Sequence, residues 1–269
     1  MDLLANHFKS SLRCKDIPLG TWLMTGAAGP TEAMGHCGFD FLVLDMEHVP
    51  ISITLLPDIL RAIATTPAVP LVRLASNDRV MIKQALDAGA GSIMAPFIET
   101  PEEAAEAVAS AKYPPHGKRG VAAVHRASRF GAASEYFARA DDETCLIVQL
   151  ESAEAVDRMA EIGSVAGVDG VFVGPGDLAA SMGYIGQIAH PEVQAKIAEA
   201  GRLARENGMP AGIVGPTPEM VRGFIDMGFS FAALASDMSF MTTRAREALA
   251  MLRQDGATSH SMAAGTSAY

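Results

Sequence analysis

Along most of the chain, short runs of apolar residues take turns with longer segments in which apolar positions recur at helical spacing. The runs fall at 18–25, 39–44, 69–74, 91–96, 145–150, 168–173, 210–214 and 229–234. Each is nearly continuous rather than alternating, which fits strands buried on both faces, as in a parallel sheet covered by helices. Helices are predicted between them: a short one opening at Thr31, then 53–64, 79–88, 101–112, 132–139, a stretch after 152, 191–203, 217–227 and 239–252. Their starts carry chemistry suited to helix N-termini. Ser76-Asn77-Asp78 supplies capping oxygens, and Thr100-Pro101-Glu102-Glu103 places proline and acids in a first turn. After His190-Pro191-Glu192, the residues Val193, Ile197 and Leu203 recur roughly with helical period. Eight strand–helix units favour a closed (β/α)8 TIM barrel over an open doubly wound sheet. Residues 17–254 form that α/β domain, residues 1–16 read as a helix or arm over one end, and 255–269 as a flexible polar tail.

Composition narrows the function classes. A length of 269 residues suits one barrel, and 49% hydrophobic residues supply its core. The net charge of -10 argues against a nucleic-acid partner, which needs clustered Lys and Arg. No apolar run reaches the roughly 18 residues of a membrane span, and the first residues resemble neither a secretory signal nor a transit peptide. Cys14, Cys37 and Cys145 lie far apart without CxxC spacing, which suits a cytoplasmic protein and argues against a thiolate zinc site. The stretch 113–130 has no period and holds Pro, Gly and several bases, so it reads as a working loop.

In a barrel of this kind, chemistry sits at the carboxyl ends of the strands. Asp45, His48, Arg73, Gln149, Glu151 and Asp177 all fall there. Glu151 and Asp177 end neighbouring strands, and two carboxylates at one sheet edge suit a hard divalent cation that keeps positions open for substrate oxygens. Gly176, in Gly174-Pro175-Gly176-Asp177, lets a ligand approach the main-chain N–H groups. Simpler readings stand beside these. Glu151 and Asp177 each suit the start of a following helix by dipole or capping. His48 alone could be an ordinary hydrogen-bonded histidine, Arg73 could form a structural ion pair with Asp45, and Asp87 reads as a solvated helix residue. The six lysines, Lys9, Lys15, Lys83, Lys112, Lys118 and Lys196, end no strand, which counts against imine chemistry and for a metal as electron sink. The GxG of this turn is no dinucleotide fingerprint.

The motifs LDMEH, VRL, KQALDAGA, YPPHGKRGV, VQLES, GVDGVFVGPGDLAASMGY and HPEV, in this order, resemble the HpcH/HpaI aldolase family from about residue 20 to 252. Within it, VHRASRFGAASEYFARA is most similar to the 2-dehydro-3-deoxyglucarate aldolases. The resemblance implies a class II aldolase that reversibly cleaves a 4-hydroxy-2-oxo acid to pyruvate and an aldehyde. It implies Mg²⁺, Mn²⁺ or Co²⁺ on Glu151 and Asp177, and a homo-oligomer, commonly a hexamer built as a trimer of dimers. By the same resemblance His48 is the base, Arg73 stabilises the transition state, and Asp87 raises the basicity of His48. Gln149 contacts substrate, the backbone of Gly176 and Asp177 holds the pyruvate carboxylate, and Val214 lines the aldehyde pocket. The turn reads GPGD where many members have GPAD or GPSD. The main rival is a citrate-lyase-type barrel acting on an acyl-CoA thioester. A phosphate-handling isomerase fits less well, because the segments after strands seven and eight are poor in glycine. A non-catalytic assembly protein on the same barrel is argued against by the intact carboxylates, His48 and Arg73.

Overall fold

The computed structural model describes residues 5–263, with side chains described to residue 253. Eight strands, β1 (Leu19–Leu23), β2 (Phe41–Asp45), β3 (Val69–Arg73), β4 (Ser92–Ala95), β5 (Cys145–Leu150), β6 (Gly170–Val173), β7 (Ala211–Gly215) and β8 (Phe231–Ser236), pair in chain order, all parallel, and close into a barrel. Around them run α2 (Ala28–Gly35), α3 (Leu56–Ile63), α4 (Arg79–Asp87), α5 (Pro101–Ala111), α6 (Tyr136–Glu143), α10 (Pro191–Glu206) and α11 (Pro218–Met227). The segment after β5 breaks at Arg158 into α7 (Ala153–Asp157) and α8 (Met159–Gly163). A short α9 (Pro175–Ser181) follows β6 directly. The closing helix α12 runs Asp237–Ala263, longer than its apolar pattern suggests, so it takes in residues 255–263 of the stretch expected as a flexible tail; residues 264–269 lie outside the described residues.

Alternation along each strand divides the core in two. Leu42, Leu44, Val72, Leu146, Val148 and Val171 point outward into the layer shared with the helices. Phe41, Val43, Leu71, Met94, Ile147, Phe172 and Phe231 fill the barrel interior. Gly20 and Gly212 leave the slots in which the Phe41 and Phe231 rings sit. Helix α1 (His7–Ser11) stops the base: Phe8, 1% exposed, lies 5.0 Å from the Phe41 ring centroid and 5.7 Å from that of Phe231. Asn6 fixes that plug, accepting from Lys9 N and donating to the carbonyls of Gly91 and Glu143. The inward positions are thus apolar from base to middle. At the mouth the same inward parity brings Asp45, Arg73 and Gln149, so the strand period itself aims these polar groups into one space.

Candidate active site

A cavity of about 880 Å³ opens at the mouth, walled by Trp22, Asp45, His48, Arg73, Gln149, Gly176, Asp177 and Val214 among others. Glu151 lies beneath it, 2% exposed. Strand adjacency explains the gathering, because β2 and β3 pair Asp45 with Arg73 and β5 and β6 run side by side.

Neither carboxylate caps the helix that follows it. Helix α7 is capped by Ser152, whose hydroxyl accepts from Ala155 N at 3.0 Å. Glu151 turns inward instead: Oε1 accepts from Gln149 Nε2 at 2.8 Å and Oε2 from Phe97 N at 3.0 Å. Asp177 is not a cap either, since Gly174 takes the N-cap position of α9 and Asp177 lies in its first turn. The backbone of Gly174 runs so close that an added Cβ would stand 3.0 Å from Glu151 Oε1, whereas at Gly176 a Cβ would meet nothing within 4 Å.

Arg73 satisfies both of its readings. Its Nε and Nη2 bond the two oxygens of Asp45 at 3.0 and 2.7 Å, its Nη1 lies 3.2 Å from Glu47, and the guanidinium sits 4.3 Å above the Trp22 ring. Five N–H groups on a planar fork allow this and leave donors for the cavity. Asp45 also accepts from the main-chain N–H of Glu47 and His48. That pins the turn and leaves the His48 imidazole exposed at the cavity rim.

Electrostatically the mouth carries more acid than base. Burial pushes the Glu151 carboxyl up to about 8; the Phe97 N–H works against that rise, while Asp177 and Glu47 add to it. Burial likewise raises Glu47, with Arg73 opposing. The Gln149 Oε1 and Trp22 Nε1 atoms are buried without a hydrogen-bond partner, whereas Glu47 Oε2 is ion-paired with Arg73 Nη1 at 3.2 Å. Buried polar atoms are normally paired, so two orphans around one cavity mark places for a ligand. Among the described residues, three or more His, Cys, Asp or Glu side chains do not converge as a ready-made metal cage. Two carboxylates with an unpartnered amide oxygen still fit a hard cation that takes its other ligands from water and substrate.

Asp87 is placed elsewhere, against expectation. Helix α4 runs from mouth to base, so its last residue comes out at the opposite end of the barrel from His48. There Asp87 pairs with Arg119 Nη2 at 2.6 Å, and His125 Nε2 stands 3.9 Å away. Within one chain Asp87 and His48 are not brought together. The stretch 113–130 packs at that same end, with Ala127 N bonded to the Asp87 carbonyl and Arg126 to that of Ala88, so it does not cover its own barrel's mouth. Glu47 and Trp22 were not singled out from sequence. The signal for Glu47 was available, since it stands two residues beyond Asp45 and keeps its parity.

The family model for HpcH/HpaI aldolase/citrate lyase matches residues 19–243. The chain belongs to this family. It is similar to the 2-dehydro-3,6-dideoxy-6-sulfogluconate aldolase of Pseudomonas putida, at 50% identity over 90% of this chain and 95% of that protein. It is 41% identical to the 5-keto-4-deoxy-D-glucarate aldolase of Escherichia coli O139:H28, over 88% of this chain and 93% of the other. A solved HpcH/HpaI aldolase/citrate lyase family protein from Burkholderia cenocepacia superposes with a TM-score of 0.89 at 39% identity, covering 93% of this chain and all of that one. This HpcH/HpaI protein is therefore an enzyme, an aldolase-type lyase, and the mouth of its barrel is the place where such chemistry fits.

Proposed function

We propose that the enzyme reversibly cleaves a 4-hydroxy-2-oxo acid, such as a 2-dehydro-3-deoxy-aldarate, to pyruvate and an aldehyde, with a divalent cation held by Glu151 and Asp177. The observation that carries this reading is the desolvated Glu151 carboxyl beside Asp177 and Glu47, next to the orphaned Gln149 amide oxygen. Acids so placed are relieved by a bound cation, and Mg²⁺, Mn²⁺ or Co²⁺ accepts this oxygen set. Bound there, the cation supplies Lewis acidity to the keto oxygen.

The remaining steps belong to the chain's own groups. The main-chain N–H groups of Gly176 and Asp177, at the start of α9, receive the substrate carboxylate. Gln149 orients the keto end. His48 at the rim takes the proton from the C4 hydroxyl; the C3–C4 bond breaks, its electron pair flows toward the C2 oxygen, the aldehyde leaves past Val214, and C3 of the remaining enolate takes a proton from solvent to give pyruvate. Arg73, held rigid by Asp45, meets the negative charge as it develops on that oxygen, a preorganised donor that needs no rearrangement at the moment of reaction. The cavity continues to Ser239, Thr243, Arg244 and Glu247 on α12, the last two paired at 3.4 Å, which suits an aldehyde with a polar far end.

A cytoplasmic hexamer, a trimer of dimers, belongs to the same reading. In it Asp87 supports His48 only from a neighbouring copy, since in its own chain it lies at the base. The deciding experiment is a cleavage and condensation assay with pyruvate and a panel of aldehydes, run after EDTA treatment and after Mn²⁺ add-back. Activity lost with EDTA and restored by Mn²⁺ is expected; full activity in excess EDTA sinks the metal reading, and inactivity with every aldehyde sinks the aldolase reading.

A further inference from the structure

The turn between β4 and α5 holds an unusual backbone. Phe97 has φ of 51°, in the left-handed region that bulky residues rarely occupy. Its ring does not account for this, because Phe97 is 54% exposed. The anchors lie on the main chain. Phe97 N donates to Glu151 Oε2 at 3.0 Å, and the next amide, Ile98 N, donates to the Gln149 carbonyl at 3.0 Å. Ile98 itself is fully buried. Two successive N–H groups thus clip the turn onto β5 at the residues that line the site, and the unfavourable φ is what points the first of them at the carboxylate. Strained backbone of this sort persists only where its surroundings enforce it, and it gathers at functional sites.

Building on the cation reading above, we propose that Phe97 is a positioning residue whose left-handed backbone holds Glu151 in the orientation that binds the divalent ion. Gln149 Nε2 fixes one oxygen of Glu151 and Phe97 N the other. The missing side chain of Gly174 leaves the carboxylate this place, since a Cβ there would stand 3.0 Å from Oε1. Each oxygen keeps a lone pair for the cation, and the rotamer is set before the ion arrives. Partners that orient a ligand in this way typically contribute about 10–100-fold in metal affinity.

Two substitutions that both remove the ring separate backbone from side chain. Phe97→Gly accepts positive φ freely, whereas Phe97→Val, β-branched, resists it. Mn²⁺ affinity of the full-length metal-free protein, read by electron paramagnetic resonance, is expected to fall about 10–100-fold in Phe97→Val and to stay at the wild-type value in Phe97→Gly. Thermal melts of both metal-free variants show whether the fold is intact. Equal affinity in wild type and Phe97→Val overturns the proposal, and so does an equal loss in the two variants, which would assign the effect to the ring. Glu151→Gln serves as the control. A wild type that takes up no Mn²⁺ overturns the cation reading itself, and uptake undiminished in Glu151→Gln moves the ion away from this carboxylate.

Discussion

Two buried arginine–aspartate pairs sit at opposite ends of the barrel, each laid on an aromatic ring. At the mouth Arg73 grips Asp45 over Trp22; at the base Arg119 grips Asp87 over Tyr113, 4.4 Å from its centroid. The resemblance in chemistry hides a difference in setting. Arg73 faces a cavity and shares its space with Glu47, Gln149 and Asp177. Arg119, 2% exposed, lies among Tyr113, Tyr136 and His125 at the edge of a separate cavity at the base, and Tyr136 Oη accepts its second bond. One pair shares its cavity with Glu47, Gln149 and Asp177, while the other knits the 113–136 segment onto α4. Residue type alone does not separate them; the end of the barrel does.

Removing each arginine should therefore do different things. Arg73→Ala is expected to lower turnover about 10²–10³-fold, the usual loss for a preorganised donor. The cost appears in steady-state kinetics, and Mn²⁺ affinity persists. Unchanged turnover removes Arg73 from the chemistry. Arg119→Ala strands Asp87 without its partner, and breaking a buried pair in this way costs about 3–5 kcal/mol. Asp87 keeps some solvent contact, so the low end is expected, seen as a fall in chemical-denaturation midpoint. A variant as stable as wild type would make that pair ornamental.

The next comparison sets the mouth against itself at two pH values. Burial holds the folded Glu151 carboxyl at about 8, above its ordinary 4.5. A folded value above the unfolded one means the folded state binds the extra proton. Its contribution to stability is full below about 4.5 and is lost as pH rises through about 8. A cation competes for the same oxygens, so its binding strengthens as that proton leaves. Mn²⁺ is thus expected to raise the melting temperature more at pH 8.5 than at pH 6, about tenfold in affinity per pH unit across the window. An Mn²⁺ effect equal at both pH values contradicts this picture of Glu151.

The barrel was legible in the sequence because its signal repeats: eight apolar runs, each bounded by turn chemistry, leave few architectures open. The polar mouth was legible for a related reason. Asp45, Arg73 and Gln149 interrupt apolar strands at the last inward position, where a buried polar or charged group must find a partner. The end of the barrel at which Asp87 lies was not legible, because its motif carries no direction; only the return of α4 toward the base shows it. Phe97 was invisible, since a positive φ on an ordinary residue leaves no glycine to announce it. The length of α12 was missed because its far half lacks a clear apolar period.

The smallest expected effect concerns the two glycines of the turn after β6, which look alike in sequence. At Gly174 an added methyl would press within 3.0 Å of Glu151 Cγ and Oε1, so Gly174→Ala is expected to displace that carboxylate and weaken Mn²⁺ binding. At Gly176 the same methyl points into open space, in the first turn of α9. Gly176→Ala should accordingly change stability by no more than about 0.5 kcal/mol, with a slight gain from the better helix former. The main-chain N–H groups proposed to receive the substrate carboxylate are untouched, so the KM for the oxo acid is expected to hold. A sharp rise in KM without loss of Mn²⁺ affinity would mean that the carboxylate lies against the face of Gly176 where the methyl grows, and that the alanine found there in other family turns belongs to a differently seated substrate.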